Sequence, residues 1–174
     1  LKTAADEGYN IAQFNYAMIV EEGDESIELK QDLVEAASYY KMAADQNYAP
    51  AQLHYAMMLE VGEGCQKNLE LAAVYYKKAA RSQSEAMIHY GKMLRKGIYV
   101  KKKNVKLALK YFRTAAKMGN KEGQYYFARM LQKGEGVKCN KSLALSLFKE
   151  AASQPMISRS LCTSKAQFRY AEYL

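Results

Sequence analysis

Tryptophan is missing from this chain, histidine occurs twice and cysteine three times, and those scarcities exclude several chemistries at once. Nucleophile–base catalysis needs a Ser or Cys beside a His, and only His54 and His89 are available. The cysteines Cys65, Cys139 and Cys162 are odd in number and fall at non-equivalent places, so they do not form a disulfide framework. A reducing compartment is expected, cytoplasmic or nuclear rather than the ER lumen. No stretch approaches the roughly 18 apolar residues of a membrane span, and no basic segment followed by an apolar run reads as a signal peptide. The one glycosylation sequon, Asn140-Lys141-Ser142, coincides with a helix cap assigned below and reads as chance.

What is present is ordinary globular composition, 49% hydrophobic and 25% charged over 174 residues, with a net charge of +8. That charge is polarised. Residues 1–83 hold 7 Lys and Arg against 13 Asp and Glu, whereas residues 84–174 hold 19 against 5. Such asymmetry implies distinct binding surfaces and says nothing of the fold.

The order in the chain is a repeat. Aligned on Ala12, Ala51, Ala86, Gly123 and Ala166, it recurs every 39, 35, 37 and 43 residues. Four places on stands an aromatic (Tyr16, Tyr55, Tyr90, Phe127, Tyr170), followed by a small residue (Ala17, Ala56, Gly91, Ala128, Ala171). Small residues let helices approach closely and aromatics fill the space between them. Eleven places on, Gly23, Gly62, Gly97 and Gly134 stop the helix, because glycine enters the left-handed turn without a Cβ penalty. A second helix opens at the caps Asp32, Asn68, Asn104 and Asn140. It carries a pair of large residues, Tyr39-Tyr40, Tyr75-Tyr76, Tyr111-Phe112 and the variant Leu147-Phe148, and closes on a double alanine such as Ala79-Ala80.

Insertions fall between elements: near Gly23-Asp24-Glu25, in the Lys101-Lys102-Lys103 loop, and between Ala152 and Ala166, where Pro155 breaks any helix. Helices are therefore expected at 1–7, 11–22, 33–46, 50–61, 69–81, 85–96, 105–118, 122–133 and 141–152, with another beginning near 165. The expected organisation is one array over 1–174: a partial repeat at 1–9, repeats at about 10–48, 49–83, 84–120 and 121–163, and a partial repeat at 164–174. A period of this length with helix–turn–helix content means an all-α, α/α solenoid. Starting and stopping in mid-repeat, the chain reads as a fragment, with apolar stripes such as Phe168, Tyr170 and Tyr173 open at its end and self-association expected there.

The pattern Ala-x-x-x-aromatic-small, then Gly-x-Gly, then Asp/Asn-x-x-x-Ala-x-x-Tyr-Tyr-Lys-x-Ala-Ala resembles the Sel-1-like repeat, a longer cousin of the tetratricopeptide repeat. Residues 51–80 match best. The chain departs in placing Tyr or Phe where the family usually has Leu (Tyr16, Tyr55, Tyr90, Phe127), and Leu or Val where it usually has Tyr (Val20, Leu59, Leu94, Leu131). The second turn glycine is replaced by Glu25 in repeat one and Tyr99 in repeat three. The resemblance implies a right-handed superhelical scaffold that binds proteins, as adaptors do in signalling, cell-wall synthesis or ER-associated degradation. Cysteine-rich secreted bacterial members carry one disulfide per repeat, and this chain lacks those pairs.

No enzyme activity, metal or cofactor is expected. His54 and His89 share a repeat position held elsewhere by Asn15, Tyr126 and Arg169, so surface or groove histidines are favoured over a metal pair. Gly62-Glu63-Gly64 and Gly134-Glu135-Gly136 follow helices and read as helix termination rather than phosphate cradles. The Lys101-Lys102-Lys103 run with Lys106 and Lys110 reads as a solvated face, with nuclear import or an acidic partner as the other reading.

By comparison with tetratricopeptide arrays, a partner is expected in a concave groove lined two, six, nine and ten places after each anchor. Those are Phe14, Met18, Glu21, Glu22, Leu53, Met57, Glu60 and Val61 at an acidic end. At a basic end they are Ile88, Lys92, Arg95, Lys96, Tyr125, Arg129, Gln132 and Lys133. The position two after the anchor has a second reading, burial between repeats. The expected ligand is a protein or peptide with an acidic segment over Lys92, Arg95, Arg129 and Lys133. The alternative is a nucleic-acid or acidic-surface binder using the basic half, since related helical hairpins read RNA. The acidic first half and the want of a base-reading position in every repeat stand against it.

Overall fold

A computed structural model describes residues 1–23 and 29–152. Its helices are α1 (Lys2–Asp6), α2 (Asn10–Glu22), α3 (Leu33–Asp45), α4 (Ala49–Val61), α5 (Leu69–Ala79), α6 (Ser84–Lys96), α7 (Val105–Lys117), α8 (Lys121–Lys133) and α9 (Lys141–Ala152). Each lies within two residues of its expected span, the ordinary uncertainty of a helix end. No β-strand forms among the described residues. The helix expected near 165, with Phe168, Tyr170 and Tyr173, lies outside them, as do Cys162 and the Pro155 insertion.

The four expected caps all function. Asp32 accepts from the Val34 and Glu35 amides, and Asn68, Asn104 and Asn140 from the Leu71, Leu107 and Leu143 amides at 2.9–3.0 Å. Each satisfies an amide that the first turn would otherwise leave unpaired. Gly62 and Gly134 end α4 and α8 in the left-handed conformation. In repeat three Tyr99 takes that conformation itself, with φ of 57°, at the register of Gly64 and Gly136.

The backbone divides into two compact units, Leu1–Ala86 and Met87–Leu174. In the first, consecutive helices from α1 to α5 pack on one another. Ala17, Ala56, Ala36 and Ala72 have no exposed surface, which brings the helix backbones together. Tyr16 meets Tyr39 edge-on at 4.7 Å between ring centroids, and Tyr55 meets Tyr75 at 5.1 Å. In the second unit α7 packs on α8 and α8 on α9. Tyr90 on α6 meets Tyr111 on α7 at 5.5 Å, and Tyr125, Leu131 and Phe148 join Ala128, Ala144 and Ala151 in one core.

The sequence pattern of anchors hid a polar lock. Gln13 and Gln52, one place after their anchors, are buried, and each donates through Nε2 to a carbonyl of the preceding second helix, Ala5 and Ala44, at 3.1 Å. Those carbonyls sit in a last helical turn, where each also accepts one amide from the turn that follows, Gly8 at 3.1 Å and Asn47 at 3.0 Å, and the glutamine supplies the second donor. Repeat three has Met87 at this place. Gln52→Met should therefore cost about 0.5–1.5 kcal/mol, the net worth of one hydrogen bond, since the Asn47 amide still serves the Ala44 carbonyl. Urea unfolding of the chain would measure it, and an unchanged midpoint would show that the lock carries no stability.

Candidate functional site

A helix turns about 100° per residue, and the first helices α2, α4, α6 and α8 expose one arc consistently. Its positions are three, six and ten after the anchor. Two places after the anchor the chain is buried: Leu53 is 6% exposed, Ile88 0% and Tyr125 4%. These three are corrected from groove residues to core residues. The two-place position lies about 200° from the anchor, on the flank that meets the second helix, so its side chain packs there. Phe14 is half-buried in a cluster with Tyr40, Tyr48 and His54, at 5.7, 5.4 and 5.3 Å between centroids. The three-place position, left out of the expected groove, contributes His54 and Tyr126.

In the first unit the outward side chains include Met18, 37% exposed, and Val61, 59% exposed, with Met57 half-buried and Glu22 open to solvent. Glu21 and Glu60 are occupied internally. The Tyr40 hydroxyl donates to Glu21 and the Tyr76 hydroxyl to Glu60, both at 2.5 Å. His54 stacks on Tyr40 at 5.1 Å, with Nδ1 3.9 Å from Glu21. It is thus a member of an aromatic stack. The pairing follows the sequence: where the second large residue is Tyr40 or Tyr76, the nine-place residue is Glu. Where it is Phe112 or Phe148, the nine-place residue is Arg95 or Gln132. A phenylalanine offers no donor, so no acid is held there.

Burial first, and the Glu21 and Glu60 bonds second, push the Tyr40 and Tyr76 hydroxyls well above the ordinary phenol range. The bond to Asp6 pushes Tyr39 up to about 12. A folded pKa raised above the unfolded value of about 10 stabilises the protein fully below pH 10 and is lost as pH rises through the folded values. Phenolate formation should therefore lag behind free tyrosine and coincide with loss of helix. Ultraviolet difference absorbance and circular dichroism, followed together against pH, test this. Complete ionisation near pH 10 with helicity intact would contradict the buried pairs.

The second unit holds the basic residues, and they are partly spoken for. Lys92 pairs with Glu122 at 2.5 Å and Arg95 with Glu135 at 3.3 Å. Neither acid was part of the expected site; Glu135 belongs to a turn read only as helix termination. Tyr126 gathers the group: its ring stacks on Phe112 at 5.0 Å and 21°. Lys92 Nζ stands 5.2 Å and Arg95 Cζ 6.0 Å from the Tyr126 centroid. Arg129 lies over the Tyr125 ring at 5.7 Å. These are cation–π distances, which orient the cations without neutralising them. Gln132 is half-buried and Lys133 exposed.

Beside this group a cleft of about 540 Å³ is lined by Arg95, Lys96, Lys103, Val105, Glu135 and Gly136. Arg95 Nε is buried there without an acceptor. Lys96 and Lys103 have no acidic partner among the described residues. Two residues expected from the repeat register, Arg95 and Lys96, thus meet a lysine of the basic loop, Lys103, whose proximity the register did not indicate. No described helix is long and apolar enough to cross a membrane.

The fold has known counterparts. The Sel1 repeat matches at residues 10–48, 49–83, 84–120 and 121–156. The chain is similar to a protective antigen present in uropathogenic Escherichia coli strains, which displays an SLR fold (27% identity, TM-score 0.80, 99% of this chain and 40% of that one). It is also similar to a Sel1 repeat protein from Oxalobacter formigenes (31% identity, TM-score 0.77, 87% of this chain and 61% of that one). Helicobacter pylori cysteine rich protein B shares the fold at 24% identity and TM-score 0.55, over 76% of this chain and 93% of that one. No curated protein matches. Proteins built from this repeat are in general protein–protein interaction scaffolds. Matched four times in succession over most of its length, the chain belongs to the Sel1 repeat family.

Proposed function

We propose that this chain is an adaptor that binds a partner polypeptide through an acidic segment laid on the first-helix face of its second unit. The observation that carries this reading is the cleft where Arg95, Lys96 and Lys103 converge. A carboxylate entering it meets two lysines that have no acid of their own among the described residues, beside the Arg95–Glu135 pair. Charge-assisted bonds formed in a partly desolvated cleft are the strong kind. Arg129 and Lys133 on α8 extend the same sign of charge. Lys92 is held by Glu122 and serves to set the position of Tyr126. Cys65 and Cys139 are free thiols, which suits the reducing compartment we propose for the adaptor.

The test reverses charges that have no internal partner. Lys96→Glu with Lys103→Glu should weaken binding of a labelled hexaglutamate peptide by about tenfold or more, followed by fluorescence anisotropy. Lys92→Glu is less clean, because it would also set two acids against each other beside Glu122. Undiminished binding by the double variant would remove the cleft from recognition. An oligouridine control that binds as tightly, with a steep salt dependence, would transfer the reading to nucleic acid.

A further inference from the structure

A second cleft, of about 690 Å³, opens between α7 and α9 over α8. Leu109, Phe127, Leu143 and Leu147 give it apolar walls, and Arg113, Lys117 and Lys138 stand at its edge. It lies on the side of α8 away from Arg129: Phe127 and Arg129 are two residues apart, about 200° round the helix.

The same place in repeat two is filled. There Tyr75 occupies the register of Leu147, meeting Tyr55 edge-on at 5.1 Å and donating its hydroxyl to Asp45 at 2.6 Å. Lys78 stands over the Tyr75 ring at 5.1 Å, and Lys41 pairs with Asp45 at 2.9 Å. In repeat four the ring is replaced by Leu147, Asp45 by Lys117, and Lys78 by Glu150. Repeats one and three keep the tyrosine, as Tyr39 and Tyr111, each edge-on to its partner ring. So one slot of four lacks the phenol that the fold places there, and the acid that would hold it has become a cation. Arg113, Lys117 and Lys138 have no acidic partner among the described residues.

We infer that this cleft receives one aromatic side chain of a partner polypeptide, flanked there by acidic residues. The incoming ring takes the place of the missing tyrosine against Phe127, in the edge-to-face contact that the other repeats make internally. The flanking carboxylates meet Lys117, which inverts the sign of Asp45 in repeat two, together with Lys138 and with Arg113 at the register of Lys41, three cations against the single acid Glu150 in the lining. An anionic aromatic segment therefore fits, and a cationic one does not.

The probe is a fluorescein-labelled peptide, Asp-Glu-Phe-Glu-Asp, titrated against the 174-residue chain, with Asp-Glu-Ala-Glu-Asp as its control. The phenylalanine peptide should bind about tenfold or more tighter, roughly 1.4 kcal/mol. Leu147→Tyr, which restores the residue of the other repeats, should fill the slot and abolish that preference. Lys117→Asp, an exposed change, should weaken binding without disturbing the fold, and keeps the test decisive if Leu147→Tyr proves insoluble. Equal binding of the two peptides overturns the assignment, as does full affinity in either variant. The Lys96→Glu/Lys103→Glu chain should keep the phenylalanine preference. Its loss there would place the peptide in the other cleft and end this proposal, so the two readings fail separately.

Discussion

Gly64→Ala is expected to cost about 3–5 kcal/mol, the largest effect of any single methyl group in this chain. Gly64 has φ of +67°, where an L-residue is strained by about 1–2 kcal/mol. Space is the greater obstacle. A Cβ there would lie 1.9 Å from the Leu33 carbonyl oxygen and 2.4 Å from its carbon, so the turn after α4 presses directly on the start of α3. Neither partner is the loose end of a side chain; backbone must move against backbone. Gly136 is the control, at the same place in repeat four and with φ of +72°. Its Cβ would meet Val105 Cγ1 at 3.1 Å and the Val105 carbonyl oxygen at 3.4 Å. The second substitution should cost only about 1–2 kcal/mol, mostly conformational. Urea unfolding of the two variants separates packing from φ. Equal losses would mean that the Gly64–Leu33 approach is not as close as described.

Gly64 also shows where a single sequence stops being informative. Its role as a left-handed residue was legible, because a glycine after a helical stripe has few other uses. Its neighbour was not, because Leu33 comes from the preceding repeat and nothing in a turn motif names what it touches. The same division holds at the candidate site. Caps, anchors and small residues were legible since each obeys a local rule four times over. The burial of Leu53, Ile88 and Tyr125 was not, because angular position on one helix does not tell which neighbour covers that flank. Glu122 and Glu135 were hidden for a different reason: they belong to the next repeat, and the cations along one helix do not name the acids that a neighbouring repeat brings to them. One signal was there to be read. Glu21 and Glu60 accompany Tyr40 and Tyr76, while Arg95 accompanies Phe112, and a hydroxyl that needs an acceptor explains the first two. Charge polarity between the halves thus has a packing component as well as a binding one.

Gly91→Leu is expected to cost about 2–3 kcal/mol, and Ala56→Leu to behave alike at the equivalent junction. The helix itself favours the change, since leucine exceeds glycine in helix propensity by somewhat under 1 kcal/mol. Packing overrides that gain. Even a Cβ at Gly91 would stand 2.7 Å from Phe112 Cε1 and 3.0 Å from Cζ, too close for either atom to stay. Phe112 is fully buried and stacked against Tyr126, so its ring has nowhere to retreat. The side chain must overpack the core, which costs about 1–3 kcal/mol for each such insertion. A thermal melt registers the loss, and Phe112→Leu in the same chain should return part of it by removing the opposing ring, a coupling that only contacting residues show. The stack has a second consequence. Tyr126 carries Lys92 and Arg95 against its ring, so displacing Phe112 should disturb the cation cluster and weaken acidic-peptide binding at temperatures where the chain is still folded. Lys96 and Lys103 gain nothing from that stack, and their reversal should leave the melt where it was. If Gly91→Leu lowered stability yet left peptide affinity intact, the cluster on Tyr126 would be packing alone, and recognition would rest on the cleft.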